Sequence, residues 1–133
     1  MVFGFSKKSI LIINMSQYTS KMVTDFEKKY GVLPGMTNVI AKENVFGPSK
    51  GKLLNTEMAD GFHTYVAKGL FASTRGRPDP RTVVLSMMTR GKEPRETDWQ
   101  KLTHFMTFMK HTQNDMLMLS ADNLHVIKWY VDA

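Results

Sequence analysis

Two proline corners constrain this chain more than any other feature: Arg77-Pro78-Asp79-Pro80 and Lys92-Glu93-Pro94. A proline disfavours helical geometry at the residue before it, so a helical pattern that meets one must stop there. Helical apolar spacing runs through Phe62–Phe71, through Arg81–Met88, and around Trp99 as far as Met109. The corners therefore cut the middle of the chain into three helices that fold back on one another. At the first corner, Asp79 is expected to accept hydrogen bonds from the free N–H groups of the following helix, with Pro80 in its first position. Arg77 adjoins the corner that Pro78 and Asp79 form, where it can pair with a carboxylate. By local chemistry alone the corner reads as a tight helix–helix turn.

Upstream, Val2–Phe5 and Ile10–Met15 are aromatic or β-branched and read as two short strands about the polar turn Ser6–Ser9. Ser16 is the expected N-cap of a helix whose stripe is Tyr18, Met22, Val23, Phe26 and Tyr30, closed by Gly31. Residues 33–55 lose all periodicity and carry turn chemistry at Pro34-Gly35 and at Gly47–Gly51, which predicts a mobile or functional crossing. Asn55 or Thr56 can cap the next helix, in which Gly69 implies close backbone packing. Trp99, Leu102, Phe105, Met106 and Met109 form the apolar face of the last helix, widened by Phe108. Methionine at such spacing is flexible core filling far more often than a peptide-binding groove. Met116–Leu119 and Leu124–Val131 then read as a second hairpin, ending on Asp132. The expected fold is α+β, mainly α: about four helices with a short β-hairpin at each end. The division is 1–15 hairpin, 16–114 helical segment and 115–133 second hairpin.

Much chemistry is excluded. The 133 residues contain no cysteine, so disulfides, thiolate metal sites and cysteine nucleophiles are absent. His63, His104, His111 and His125 lack the short helical spacing of a zinc site. No nucleophile elbow, phosphate-binding loop or dinucleotide fingerprint occurs. No apolar run approaches the roughly 20 residues of a membrane span, and the start lacks a signal-peptide cleavage site. A soluble intracellular chain, cytoplasmic or nuclear, is expected. The net charge is +6, and it is clustered. Arg75, Arg77, Arg81, Arg90, Lys92 and Arg95 face only Asp79 and Glu93 over the same stretch, and Lys42, Lys50 and Lys52 form a second basic group. Clustering of this kind suits a phosphate backbone, although a solvated face is the commoner cause of modest positive charge. Asp132 ends an apolar strand in the way that nuclease carboxylates do, but two-metal chemistry needs several carboxylates. By itself Asp132 reads as a surface strand end.

The order of landmarks resembles a known family. Phe62-His63, Ala67, Leu70-Phe71, Arg77-Pro78-Asp79, Thr89-Arg90, Lys92-Glu93-Pro94, Trp99, Leu102, Lys110, Thr112 and Trp129–Ala133 follow one another as in the polyprotein of copia-type retrotransposons. About 70 residues carry this resemblance. Val2–Met15 resembles the hairpin that closes the palm, and Tyr18, Lys21, Met22 and Phe26 the helix after it. Pro80, Gly91 and His111 depart from the pattern. The resemblance implies the C-terminal thumb and connection of a reverse transcriptase, an RNA-directed DNA polymerase, leading into RNase H. The palm aspartates and the remaining RNase H carboxylates are not in this sequence, so neither activity is expected of the chain itself. It further implies Mg²⁺ in the parent enzyme but no cofactor here, and Asp132 as the first metal-binding carboxylate of an incomplete site. The implied partners are an RNA–DNA or DNA duplex backbone, held by the six cations from Arg75 to Arg95, and the rest of the polyprotein, without a membrane. Two rival readings are a helical interaction module, using an exposed Met/Phe face of the last helix, and a decayed remnant without activity.

Overall fold

A computed structural model describes residues 1–7 and 10–120, with side chains described outside 5–7. Among the described residues, four helices and one small sheet make an α+β fold dominated by helix. In chain order the elements are β1 (Val2–Lys7), β2 (Ile10–Asn14), α1 (Ser16–Tyr30), α2 (Thr56–Arg75), α3 (Arg81–Met88), α4 (Glu96–His111) and β3 (Leu117–Ser120).

The strands form one antiparallel sheet in the order β1-β2-β3. Val2 lies opposite Asn14 and Phe3 opposite Ile13, while Ile13 and Ile10 on the other edge of β2 face Leu117 and Ser120. The expected second hairpin is thus corrected in part: its first strand joins the N-terminal hairpin as a third strand. Its partner, Leu124–Val131, and Asp132 lie outside the described residues. A slip of one residue in this register would turn Ile13, the buried residue of β2, out of the core.

The helices pack around one core. Met22, Val23 and Phe26 come from α1, Phe62, Tyr65 and Val66 from α2, and Val83, Val84 and Met87 from α3; Leu102, Phe105, Met106 and Met109 come from α4. Leu33 and Val45 close the core from the long connection. Gly69 is where α2 comes closest to its neighbours: a Cβ there would lie 2.9 Å from Phe105 Cζ and 3.2 Å from Val84 Cγ2. The sheet docks on the first corner through Ile13 and Met15, which would stand within 3 Å of a side chain at Gly76.

Three capping expectations resolve differently. Asn55 caps α2, accepting from the Met58 N–H at 2.8 Å. Ser16 is not the cap of α1; its own N–H donates to Asn14 Oδ1 at 2.8 Å. Asp79 does not cap α3, because both of its carboxylate oxygens are taken by Arg77. The chain turns instead through the Pro78 and Pro80 carbonyls, which accept from Arg81 and Val84.

Candidate nucleic-acid interface

The six cations from Arg75 to Arg95 separate into one structural residue and five at the surface. Arg77 is 2% exposed and is removed from the candidate contacts. Its guanidinium donates two bonds to Asp79, at 3.0 and 2.7 Å, and two to Thr112, to the carbonyl at 2.7 Å and to Oγ1 at 2.8 Å. Four of its five N–H donors are used, and no phosphate can reach it. Thr112 ends α4, so the cation also meets the negative end of that helix. Arg77 joins the α2–α3 corner to the end of α4. Its role is structural.

Arg75, Arg81 and Lys92 are exposed, and Arg90 and Arg95 are half-buried. Arg75 lies 5.6 Å from the centre of the Phe71 ring, where the ring face favours a cation. Arg75 and Arg81 flank the first corner, whereas Arg90, Lys92 and Arg95 stand at the far end of α3 and in the second corner.

That far end meets the long connection. Arg90 Nη2 reaches the Gly47 carbonyl at 3.4 Å, and Arg95 Nη1 donates to the Gly51 carbonyl at 3.0 Å. Leu53 and Arg95 form an antiparallel bridge, and Leu54 N–H donates to the Pro94 carbonyl. Thr97 Oγ1 accepts from the Lys50 N–H at 2.8 Å and lies 3.0 Å from the Lys50 carbonyl. The second half of the connection, read from the sequence as a mobile or functional crossing between 33 and 55, is therefore hydrogen-bonded to the start of α4. Lys50 and Lys52 are exposed beside Arg90 and Arg95 as a consequence. Sequence reading placed these two basic groups apart because nothing in a one-dimensional pattern reports the hydrogen bonds that join them.

Asp98 is the anchor of this junction and is fully buried. Its carboxylate accepts from the Arg95 N–H at 2.9 Å and from Ser49 Oγ at 2.9 Å, and Lys101 Nζ stands 3.6 Å away. The first bond satisfies one of the free donors at the start of α4. The sequence signal was available, as an aspartate at the third position of a helix, but its loop partner was not. Glu93 and Glu96 are exposed in the same strip and interrupt its positive charge.

Phe105, Met106, Phe108 and Met109 are all buried, so the last helix has no exposed Met/Phe interaction face. Asp132 lies outside the described residues, and no ligand set can be built on it. Among the described residues, no group of three or more histidine or carboxylate side chains is placed to hold a metal. No described helix is long and apolar enough to cross a membrane. In comparisons with known proteins, no family model, no curated protein and no solved structure matches this chain.

Proposed function

We propose that this chain is a thumb and connection segment of a copia-type reverse transcriptase, and that it grips a template–primer duplex by its phosphates. Polymerisation and RNA cleavage, with their Mg²⁺, belong to other parts of the parent polyprotein, in the cytoplasm or nucleus. The observation that supports this most is the junction of the two basic groups. Bonds from Arg90 and Arg95 to Gly47 and Gly51 bring Lys50 and Lys52 against the cations of the second corner. Surface cations with free N–H donors are what backbone contact requires, even in a strip that Glu93 and Glu96 interrupt, and such contact positions a duplex without reading its sequence. Arg75, Arg81, Arg90, Lys92 and Arg95 remain as phosphate partners, with Lys50 and Lys52 added.

The test is a duplex-binding titration at several salt concentrations, on RNA–DNA and DNA duplexes of unrelated sequence. The wild-type chain binds all of them weakly and alike, with affinity falling steeply as salt rises, because each neutralised phosphate releases counterions. Replacing Arg75, Arg81 and Lys92 together with glutamine lowers every affinity equally and flattens the salt slope by roughly one unit for each phosphate no longer neutralised. A triple variant that keeps its circular dichroism, its affinity and its salt slope would sink the reading.

A further inference from the structure

A cleft of about 330 Å³ lies between the connection and α4, at the lower end of the roughly 300–1,000 Å³ typical of small-ligand sites. It uses the side of α4 that faces away from the core. Thr97, Gln100, Lys101 and His104 follow helical spacing on that side, whereas Leu102, Phe105, Met106 and Met109 point inward. The roof is the segment around Ile40 and Val45. It is held at one end by His104 Nε2, 2.8 Å from the Val39 carbonyl, and at the other by Lys101 Nζ, 3.1 Å from the Gly47 carbonyl.

The lining has two characters. Ile40, Val45 and Pro48 offer an apolar wall, Lys42, Lys50 and Lys101 also line the cleft, and among the described residues no carboxylate does. Behind Gly47, Arg90 approaches the same carbonyl that Lys101 uses, and its Nε is buried without a partner. Against these four cations stands one buried carboxylate, Asp98. With Lys101 already held by Asp98 and the Gly47 carbonyl, the exposed Lys42 and Lys50 supply two cations for a phosphate dianion, and an apolar wall with the amides of Asn44 and Gln100 suits a flat, hydrogen-bonding ring. We propose that this cleft binds a nucleoside monophosphate, either free or as the terminal nucleotide of a single strand. The phosphate lies with Lys42 and Lys50, and the base lies against Ile40 and Val45. The cleft shares Lys50 with the duplex surface, but Arg75, Arg81 and Lys92, through which that surface is tested, do not line it.

The experiment is amide-resolved NMR of the full chain titrated with adenosine 5′-monophosphate, adenosine and inorganic phosphate. The monophosphate shifts the amides of Asn44, Val45, Gln100 and Lys101 and binds about tenfold or more tighter than either half alone. Lys42→Gln and Lys50→Gln each weaken it roughly tenfold, the effect of removing one charge-assisted hydrogen bond. Both side chains are exposed, and Lys50 holds α4 through its backbone, so the folded spectrum is retained. Competition by a 5′-phosphorylated single strand assigns the natural ligand to a strand end, and its failure to compete assigns it to the free nucleotide. Equal affinity for phosphate and the monophosphate would overturn the proposal. So would shifts confined to other surfaces, wild-type binding by both variants, or equal competition by a blunt duplex without a terminal phosphate.

Discussion

Arg77 shows how much one side chain decides. An arginine beside Pro78 and Asp79 is a reasonable phosphate contact on paper, yet this one is buried and spans from the first corner to the end of α4. Its removal takes the donor from the Thr112 carbonyl, while the Thr112 hydroxyl keeps its bond to the Phe108 carbonyl and Asp79 stays in contact with water. Arg77→Gln is expected to cost about 2–4 kcal/mol in a denaturant melt, as for the loss of one member of a buried hydrogen-bonded pair. Arg77→Lys recovers little of this, because an ammonium cannot make the forked contact to Asp79. Asp79 is 43% exposed, so Asp79→Asn costs under about 1 kcal/mol. A similar loss for both positions would show that the pair matters and that the link to Thr112 does not.

At the scale of elements, the second half of the connection is held to the start of α4. Asp98 ties Ser49 to the Arg95 N–H, and Thr97 clasps Lys50. Asp98→Ala is expected to cost about 2–4 kcal/mol, since it leaves Lys101 without its carboxylate and uncaps the helix. The same change frees the loop, so trypsin cleaves after Lys50 and Lys52 faster than in the wild type, at temperatures where α2 and α4 keep their helical signal. Unchanged cleavage in a destabilised variant would mean that the loop is held by its backbone bridge alone. Trp99 joins α4 to α1, stacking on Phe26 at 5.9 Å and meeting Tyr30 edge-on at 4.9 Å. It is only partly buried, so Trp99→Ala costs about 2–3 kcal/mol, below the roughly 3–5 kcal/mol of a fully buried aromatic. An unchanged melting curve would contradict that packing.

For the whole molecule, one charged contact links the end of α1, the start of the connection and the end of α4. Lys110 donates to Glu27 Oε1 at 2.7 Å and the Leu33 N–H donates to the same oxygen at 2.9 Å. The bond from Lys110, then that from Leu33, hold the Glu27 carboxyl below its ordinary value. A carboxyl whose pKa is lower folded than unfolded binds fewer protons in the native state. Its stabilisation is therefore complete above the unfolded value, near 4.5, and is lost as pH falls through the lower folded value. The contact is partly exposed, so the stake is under about 1 kcal/mol. Glu27→Gln is expected to lower stability at pH 7 by that amount and to match the wild type at the acid end of the titration. A gap that stays constant with pH would assign the effect to packing.

The sequence by itself determined the helices, their breaks and most of their buried faces. Proline geometry and the spacing of Met22, Phe26, Phe62, Val66, Leu102 and Met109 are local properties of the chain, and local properties leave a periodic trace. The close approach at Gly69 was legible for the same reason, because a glycine inside a helix costs stability and is retained where a side chain would collide. The tertiary structure alone decided what the polar residues do. Whether Arg77 meets a phosphate or Thr112, whether Asp98 faces water or Ser49, and whether Arg90 meets Gly47 all depend on contacts between residues 35 to 49 positions apart. The same holds for β3, whose pairing with β2 joins segments about a hundred residues apart. Hydrogen bonds and ion pairs need particular partners at particular distances, whereas hydrophobic burial needs only an apolar face, and so the second could be read from spacing and the first could not.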